Sequence, residues 1–153
     1  MAKRYWLMKS EPDVYSIDDL EGDGRTLWDG VRNYSARNNM RAMEVGDLVL
    51  YYHSRQDPPG VAGIARVCSA AYPDPTQFDR KSKYFDEKST EAEPRWWLVD
   101  IEFVEKFESG VGLPDIKARP ELADMVLVRQ SRLSVQAVTE AEFRTVREMA
   151  AGH

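Results

Sequence analysis

"EVGDLVLYYHSRQDPPGVAGIARVCSAAY", residues 44–72, is the stretch whose reading decides the fold. Gly46-Asp47 reads as a turn, and the run after it alternates. Leu48, Leu50, Tyr52 and Ser54 fall on one face, and Val49, Tyr51 and His53 on the other. "RQDPPG" is a loop, and residues 61–72 read as the next strand, in which Gly63 marks a bulge or a close backbone approach. A second alternating run, "RWWLVDIEFVEKF" at 95–107, has Trp97, Val99, Ile101 and Phe103 as its buried side. The aromatic run "RYWLM" at 4–8 gives a first strand ending near Met8, because Pro12 cannot join a ladder.

Helices fill the spaces between. Ser16 with Asp19 three residues on forms a capping box opening "IDDLEG", which "GDG" at 22–24 then breaks. From Asn33, "NYSARNNMRAM" puts Tyr34, Arg37 and Arg41 on one stripe and Ala36, Met40 and Met43 on the neighbouring face. "LPDIKARPELADM" carries two proline-initiated turns. "VLVRQSRLSV" reads as extended, and Thr139 with Glu142 caps a last helix, "EAEFRTVREMAA". Residues 73–94 are polar, proline-bounded and of both charges, an excursion rather than core. The order implies an α+β fold in which a predominantly antiparallel sheet curls into a barrel with helices outside it.

Composition narrows the function. The 153 residues, 42% hydrophobic, suit a single domain spanning 1–153. One cysteine, Cys68, excludes an internal disulfide and a zinc cluster, and is expected to be a small buried thiol. The apolar part of "MAKRYWLMKSEP" is too short for a signal or a span, so a cytoplasmic protein without membrane contact, monomeric and without cofactor or metal, is expected. A formal net charge of -5 argues against coating a nucleic acid or a membrane. Basic residues nevertheless gather at Lys3, Arg4 and Lys9 and at Arg25, Arg32, Arg37 and Arg41, implying a local positive face.

Catalytic motifs are mostly missing: no phosphate-cradling glycine loop, no nucleophile elbow, no helical histidine pair. Only His53 and His153 exist. Lys9 and Glu11, at the end of the first strand, could in principle act as an acid/base pair, but a strand end simply turning polar explains them better. The aromatics carry more. Trp6, Trp96 and Trp97 lie in strand-like runs and read as core. Trp28 sits in an aperiodic loop followed at once by Asn33, Tyr34, Asn38 and Asn39, where a stacking platform beside amide groups suits the edge of a flat heterocycle. The arginines nearby suit phosphate.

Seven blocks, "YWLMKSEPDVYSI", "WDGVRNYSARNNMRAM", "GDLVLYYHS", "GVAGIARV", "AYPDPTQFD", "RWWLVDIEFV" and "RLSVQAVTEAEF", together resemble an EVE domain across nearly the whole chain. That resemblance implies a PUA-like fold, a small, partly open β-barrel with surrounding short helices, similar to the YTH domains that hold a methylated adenine in an aromatic pocket. It implies a non-catalytic reader of a modified nucleobase, such as 5-methylcytosine or 5-hydroxymethylcytosine, flipped from DNA or RNA. By that resemblance Lys9 and Ser10 stand at the pocket's entrance and Trp28 in its cage. Asn33, Tyr34, Arg37 and Asn38 belong to the helix beside it, and Tyr52, His53 and Ser54 end the strand forming its floor. Tyr84, Phe85 and Trp96 are the candidates for the second aromatic wall. Asp29 and Glu11 are acceptors for an exocyclic amine. The alternative is a hydrolase of RNA or amides like the ASCH branch of PUA-like domains, with Lys9, Glu11 and Tyr52 as its actors.

Overall fold

The computed structural model describes residues 4–152, so Lys3 and His153 lie outside the described residues. Its strands are β1 (Tyr5–Ser10), β2 (Arg25–Leu27), β3 (Leu48–His53), β4 (Gly60–Val67), β5 (Tyr72–Pro73), β6 (Trp97–Leu98), β7 (Asp100–Gly112) and β8 (Val135–Val138). The helices are α1 (Ile17–Asp23), α2 (Tyr34–Ala42), α3 (Leu113–Lys117), α4 (Val126–Arg129) and α5 (Glu140–Ala150). Six strands form one sheet in the order β2-β7-β4-β3-β1-β8, and β5 pairs with β6 apart from it. Only β1 with β3 is parallel; the other pairs are antiparallel. The result is the curled α+β half-barrel with short helices around it.

The curl has a local cause. Register shifts fall between Tyr51 and Tyr52 where β3 meets β4, and at two places along β4 against β7. Each such bulge bends and twists its strand. Gly63 stands at one of them, where a Cβ would lie 2.3 Å from the Glu105 carbonyl oxygen. Gly46, with φ of +99°, makes the turn before β3, and buried Asp47 braces it. Its carboxylate accepts from the Trp6 indole N–H at 2.9 Å and from the Glu44 amide at 3.0 Å.

Alternation divides the core between the sheet's two faces. Trp6, Met8, Val49 and Tyr51 pack with Ile17 and Leu20 of α1 and with Ala36, Met40 and Met43 at α2. Leu7, Leu50, Tyr52 and Ile64 pack on the other side with Ile116, Leu122, Phe143 and Val146. Both capping boxes form, at Ser16 and at Thr139, and both proline-initiated turns are present.

Several expectations fail in detail. β1 continues to Ser10, because β3 alongside it supplies a ladder past Met8. Residues 95–107 are not one strand: β6 pairs with β5, while β7 leaves it to cross the main sheet and runs to Gly112. Trp96 is buried, whereas Trp97 and Phe103 are half-buried. Residues 126–129 form α4, and extended structure resumes only at Val135. Cys68 lies beyond β4 and is half-buried. Residues 73–94 are not a free excursion: Asp74 and Gln77 are buried, the Gln77 amide bonding the carbonyls of Asp74 and Trp96 at 2.8 Å each.

Candidate nucleotide-binding site

A cavity of about 500 Å³ opens where β1 ends, bounded by the 26–32 segment and by Lys83 and Tyr84. Of the residues expected at the site, Lys9, Ser10, Trp28 and Asp29 line it, with Glu11. Trp28 is half-buried, its amide bonded to the Val99 carbonyl at 3.0 Å. Beneath it lies Tyr51, edge to face with ring centroids 5.5 Å apart. Tyr84 is the candidate second wall that faces the cavity. Phe85 and Trp96 do not line it; Trp96 stacks instead on Tyr34, centroids 5.0 Å apart.

The 28–32 loop is held from behind. The Asp74 carboxylate, 1% exposed, accepts from the Gly30 amide at 2.8 Å and from Arg32 Nη1 at 3.2 Å. It also accepts from the Thr76 amide at 2.8 Å and the Thr76 hydroxyl at 2.5 Å. Arg32 donates to the Tyr84 carbonyl from Nε at 3.1 Å and from Nη2 at 2.5 Å. Gly30 has φ of +82°, and a Cβ there would stand 2.6 Å from Tyr84 Cζ. The tyrosine ring thus lies directly on backbone that only glycine leaves bare.

On the β1 side, the Ser10 and Tyr51 hydroxyls both donate to the Tyr15 carbonyl at 2.7 Å. Tyr15, which lines the cavity, donates its own hydroxyl to Asp23 at 2.6 Å, and its pKa is pushed up to about 12 by burial and then by that carboxylate. Burial at the wall and the neighbouring Asp74 carboxylate push the Asp29 pKa up, against its own backbone amide, Arg32 and Lys83. Burial pulls that of Lys9 down. The site therefore offers an aromatic pair, a carboxylate acceptor and an ammonium donor to a flat polar ring.

The other expected residues lie elsewhere. Asn33 caps α2, its side chain accepting from the Ala36 amide at 2.9 Å, and borders a separate cleft with Ser35 and Arg132. Tyr34, Arg37 and Asn38 sit on α2 outside the cavity, with Asn38 accepting from Arg37 Nη2 at 2.8 Å. Tyr52 points to the opposite face of the sheet, since alternation puts Tyr51 under Trp28. Lys9 Nζ lies 5.4 Å from the Tyr52 ring centroid. His53 shares the Tyr51 face, but its Nε2 accepts the Ile17 amide at 3.0 Å and so serves the start of α1. Ser54 follows β3 and donates from its amide to the Ser10 carbonyl at 2.9 Å. For the acid/base pair, Glu11 is ion-paired with Arg55 at 2.9 Å and Lys9 Nζ donates to the Ser131 carbonyl.

Sequence reasoning missed Tyr15, Arg32 as a brace, and above all Asp74. "PDPT" at 73–76 holds a signal for the last, an aspartate ready to cap the turn that follows it. Among the described residues no helix is long and apolar enough to cross a membrane.

Comparison with known proteins places this geometry. The chain is 39% identical over 158 residues to human thymocyte nuclear protein 1, covering 91% of this chain and 70% of that one. A hypothetical protein from Leishmania major has a structure that matches with a TM-score of 0.95 at 49% identity, covering 99% of this chain and 96% of that one. The structure of human THYN1 protein in complex with 5-methylcytosine containing DNA matches with a TM-score of 0.92 at 38% identity, covering 97% of this chain and 98% of that one. A ZmASCH mutant protein from Zymomonas mobilis, 11% identical with a TM-score of 0.53, shares the fold alone. The EVE domain family model matches residues 4–149, nearly every residue that builds the sheet, the cavity and its braces, and the chain belongs to the EVE domain family.

Proposed function

We propose that this protein binds DNA carrying a modified cytosine, 5-methylcytosine or 5-hydroxymethylcytosine, and receives that base, turned out of its stack, in the cavity of Trp28, Asp29 and Tyr84. The observation that carries the reading is the cavity itself: two aromatic side chains and a carboxylate on a braced loop, in a chain 38% identical to a protein whose structure contains 5-methylcytosine DNA. Turning a base out costs a few kcal/mol, which stacking and hydrogen bonds to the base edge must offset. Trp28, resting on the edge of Tyr51, is the stacking surface. Asp29 accepts from the exocyclic amine, which distinguishes cytosine from thymine. The hydrolase alternative draws no support from Lys9 and Glu11, each engaged by another group.

The test is a competition titration with matched DNA and RNA oligonucleotides carrying cytosine, 5-methylcytosine or 5-hydroxymethylcytosine at one position. Base stacking on an aromatic is worth about 1–3 kcal/mol, so Trp28→Ala weakens the modified DNA roughly tenfold or more and erases its preference over the unmodified one. Equal affinity of the parent protein for modified and unmodified DNA, or an intact preference in Trp28→Ala, sinks the reading; tighter binding of the RNA reassigns the polymer.

A further inference from the structure

The basic residues expected to form one positive face separate in the fold. Arg25 pairs with Asp100 at 2.8 Å and Arg32 with buried Asp74; Arg95, outside that expected set, pairs with Asp86 at 3.4 Å. Arg37 and Arg41 have no carboxylate partner among the described residues. Each is backed by an aromatic ring: the Arg37 guanidinium carbon lies 4.7 Å from the Tyr34 centroid, and that of Arg41 lies 4.5 Å from the Trp97 centroid. Arg37 is further fixed by its bonds to the Arg95 carbonyl at 3.0 Å and to Asn38, which use three of its five N–H groups and leave two to donate outward. In a chain of net charge -5 these are ordered, uncompensated cations on one stripe of α2, Arg41 exposed and Arg37 half-buried.

We infer that Arg37 and Arg41 hold neighbouring phosphates of the strand whose base enters the cavity, so that the outer face of α2 is the track for the nucleic-acid backbone. This rests on the proposed reading of the cavity for which strand is held, though not for whether a strand is held. Three features favour a phosphodiester chain. The two residues are one turn apart on the helix, about 6 Å along its axis, a spacing within reach of successive phosphates. A guanidinium stacked on an aromatic keeps its edge free for phosphate oxygens. The stripe also continues into the cavity wall, because Tyr34 stacks on Trp96 and Arg32 lies 5.5 Å from the ring centroids of both Trp96 and Tyr84.

The experiment measures the salt dependence of binding for the parent, Arg37→Gln/Arg41→Gln, Arg37→Lys/Arg41→Lys and Trp28→Ala, on modified and unmodified duplexes. Each phosphate neutralised contributes about 0.9 to the magnitude of the log–log slope on duplex. The double Gln variant lowers that magnitude by about 1.8 and weakens both duplexes by the same factor. The double Lys variant, which keeps the charges, restores the slope. An unchanged slope in the double Gln variant, a loss confined to the modified duplex, or poly-glutamate of matched charge competing as well as DNA would each overturn the track. Trp28→Ala leaves the slope at its parent value. A protein with no preference for the modified base but a slope that still falls in the double Gln variant loses the cavity reading and keeps the track.

Discussion

At the scale of single residues, alternation decides which side chain serves the site. Tyr51 and Tyr52 are neighbours in sequence and occupy opposite faces of the sheet, so one supports Trp28 and the other belongs to the second core. The sequence shows the alternation but not which face the Trp28 loop will cover. His53 illustrates a related competition: a buried imidazole satisfies the nearest unpaired donor, here the Ile17 amide, before any ligand. Accepting that bond requires a neutral Nε2, and burial pulls the His53 pKa below its ordinary 6.5. The unfolded chain therefore binds the proton more readily. The stability from this contact is complete above about pH 6.5 and is lost as pH falls through the folded-state value. Melting temperatures measured from about pH 7.5 down to about pH 5 should fall less steeply for His53→Gln, whose amide oxygen accepts the same N–H without titrating. Identical pH profiles for parent and variant would remove His53 from this role.

At the scale of elements, local chemistry specified the helix starts and long-range pairing specified the strand limits. The capping boxes at Ser16 and Thr139 close within four residues of chain, through side chain to backbone bonds of 3.1 Å at each. Removing either hydroxyl costs about 1 kcal/mol. The two differ in consequence. Ser16 adjoins Tyr15, whose carbonyl is clamped by Ser10 and Tyr51 at the cavity, whereas Thr139 starts α5 on the other face. Denaturant melts should place Ser16→Ala and Thr139→Ala at similar losses of stability, while oligonucleotide titration should find affinity reduced only in Ser16→Ala. An equal effect on affinity would mean that α1 does not transmit to the site. Residues 126–129 show the converse limit: "VLVR" favours a strand by its β-branched residues, yet it forms one helical turn beside the edge strand β8, with Leu127 buried in the second core.

At the scale of the whole molecule, Asp74 joins two segments more than forty residues apart: the loop bearing Trp28 and the segment bearing Tyr84. Its four accepted bonds, one of them from Arg32, which in turn holds the Tyr84 carbonyl, bring both aromatic walls of the cavity into place. Asp74→Ala leaves a largely buried guanidinium and the Gly30 amide without their acceptor, a loss of about 3 kcal/mol. Asp74→Asn keeps acceptor oxygen and removes the charge, and should fall between the parent and Asp74→Ala. Chemical denaturation reads the stability and the competition titration reads the site. A site that discriminates normally in Asp74→Ala would show that the walls stand without this brace.

The sequence by itself determined the fold class, the capped helices, the bulge at Gly63 and the placing of Trp28 in an aperiodic loop rather than in the core. Each of these is written in side-chain periodicity, in a cap closing over three or four residues, or in the special freedom of glycine. Only the tertiary structure decided that residues 73–94 fold back as a wall, that Tyr84 rather than Phe85 or Trp96 faces the cavity, and that Arg37 and Arg41 alone of the basic stretch at 25–41 remain uncompensated. These outcomes rest on partners at sequence separations of about forty to seventy-five residues, as in Asp74 with Gly30 and Arg25 with Asp100. A charge or an aromatic ring acquires its role from what burial and pairing leave free, and no window of sequence contains both members of such a pair.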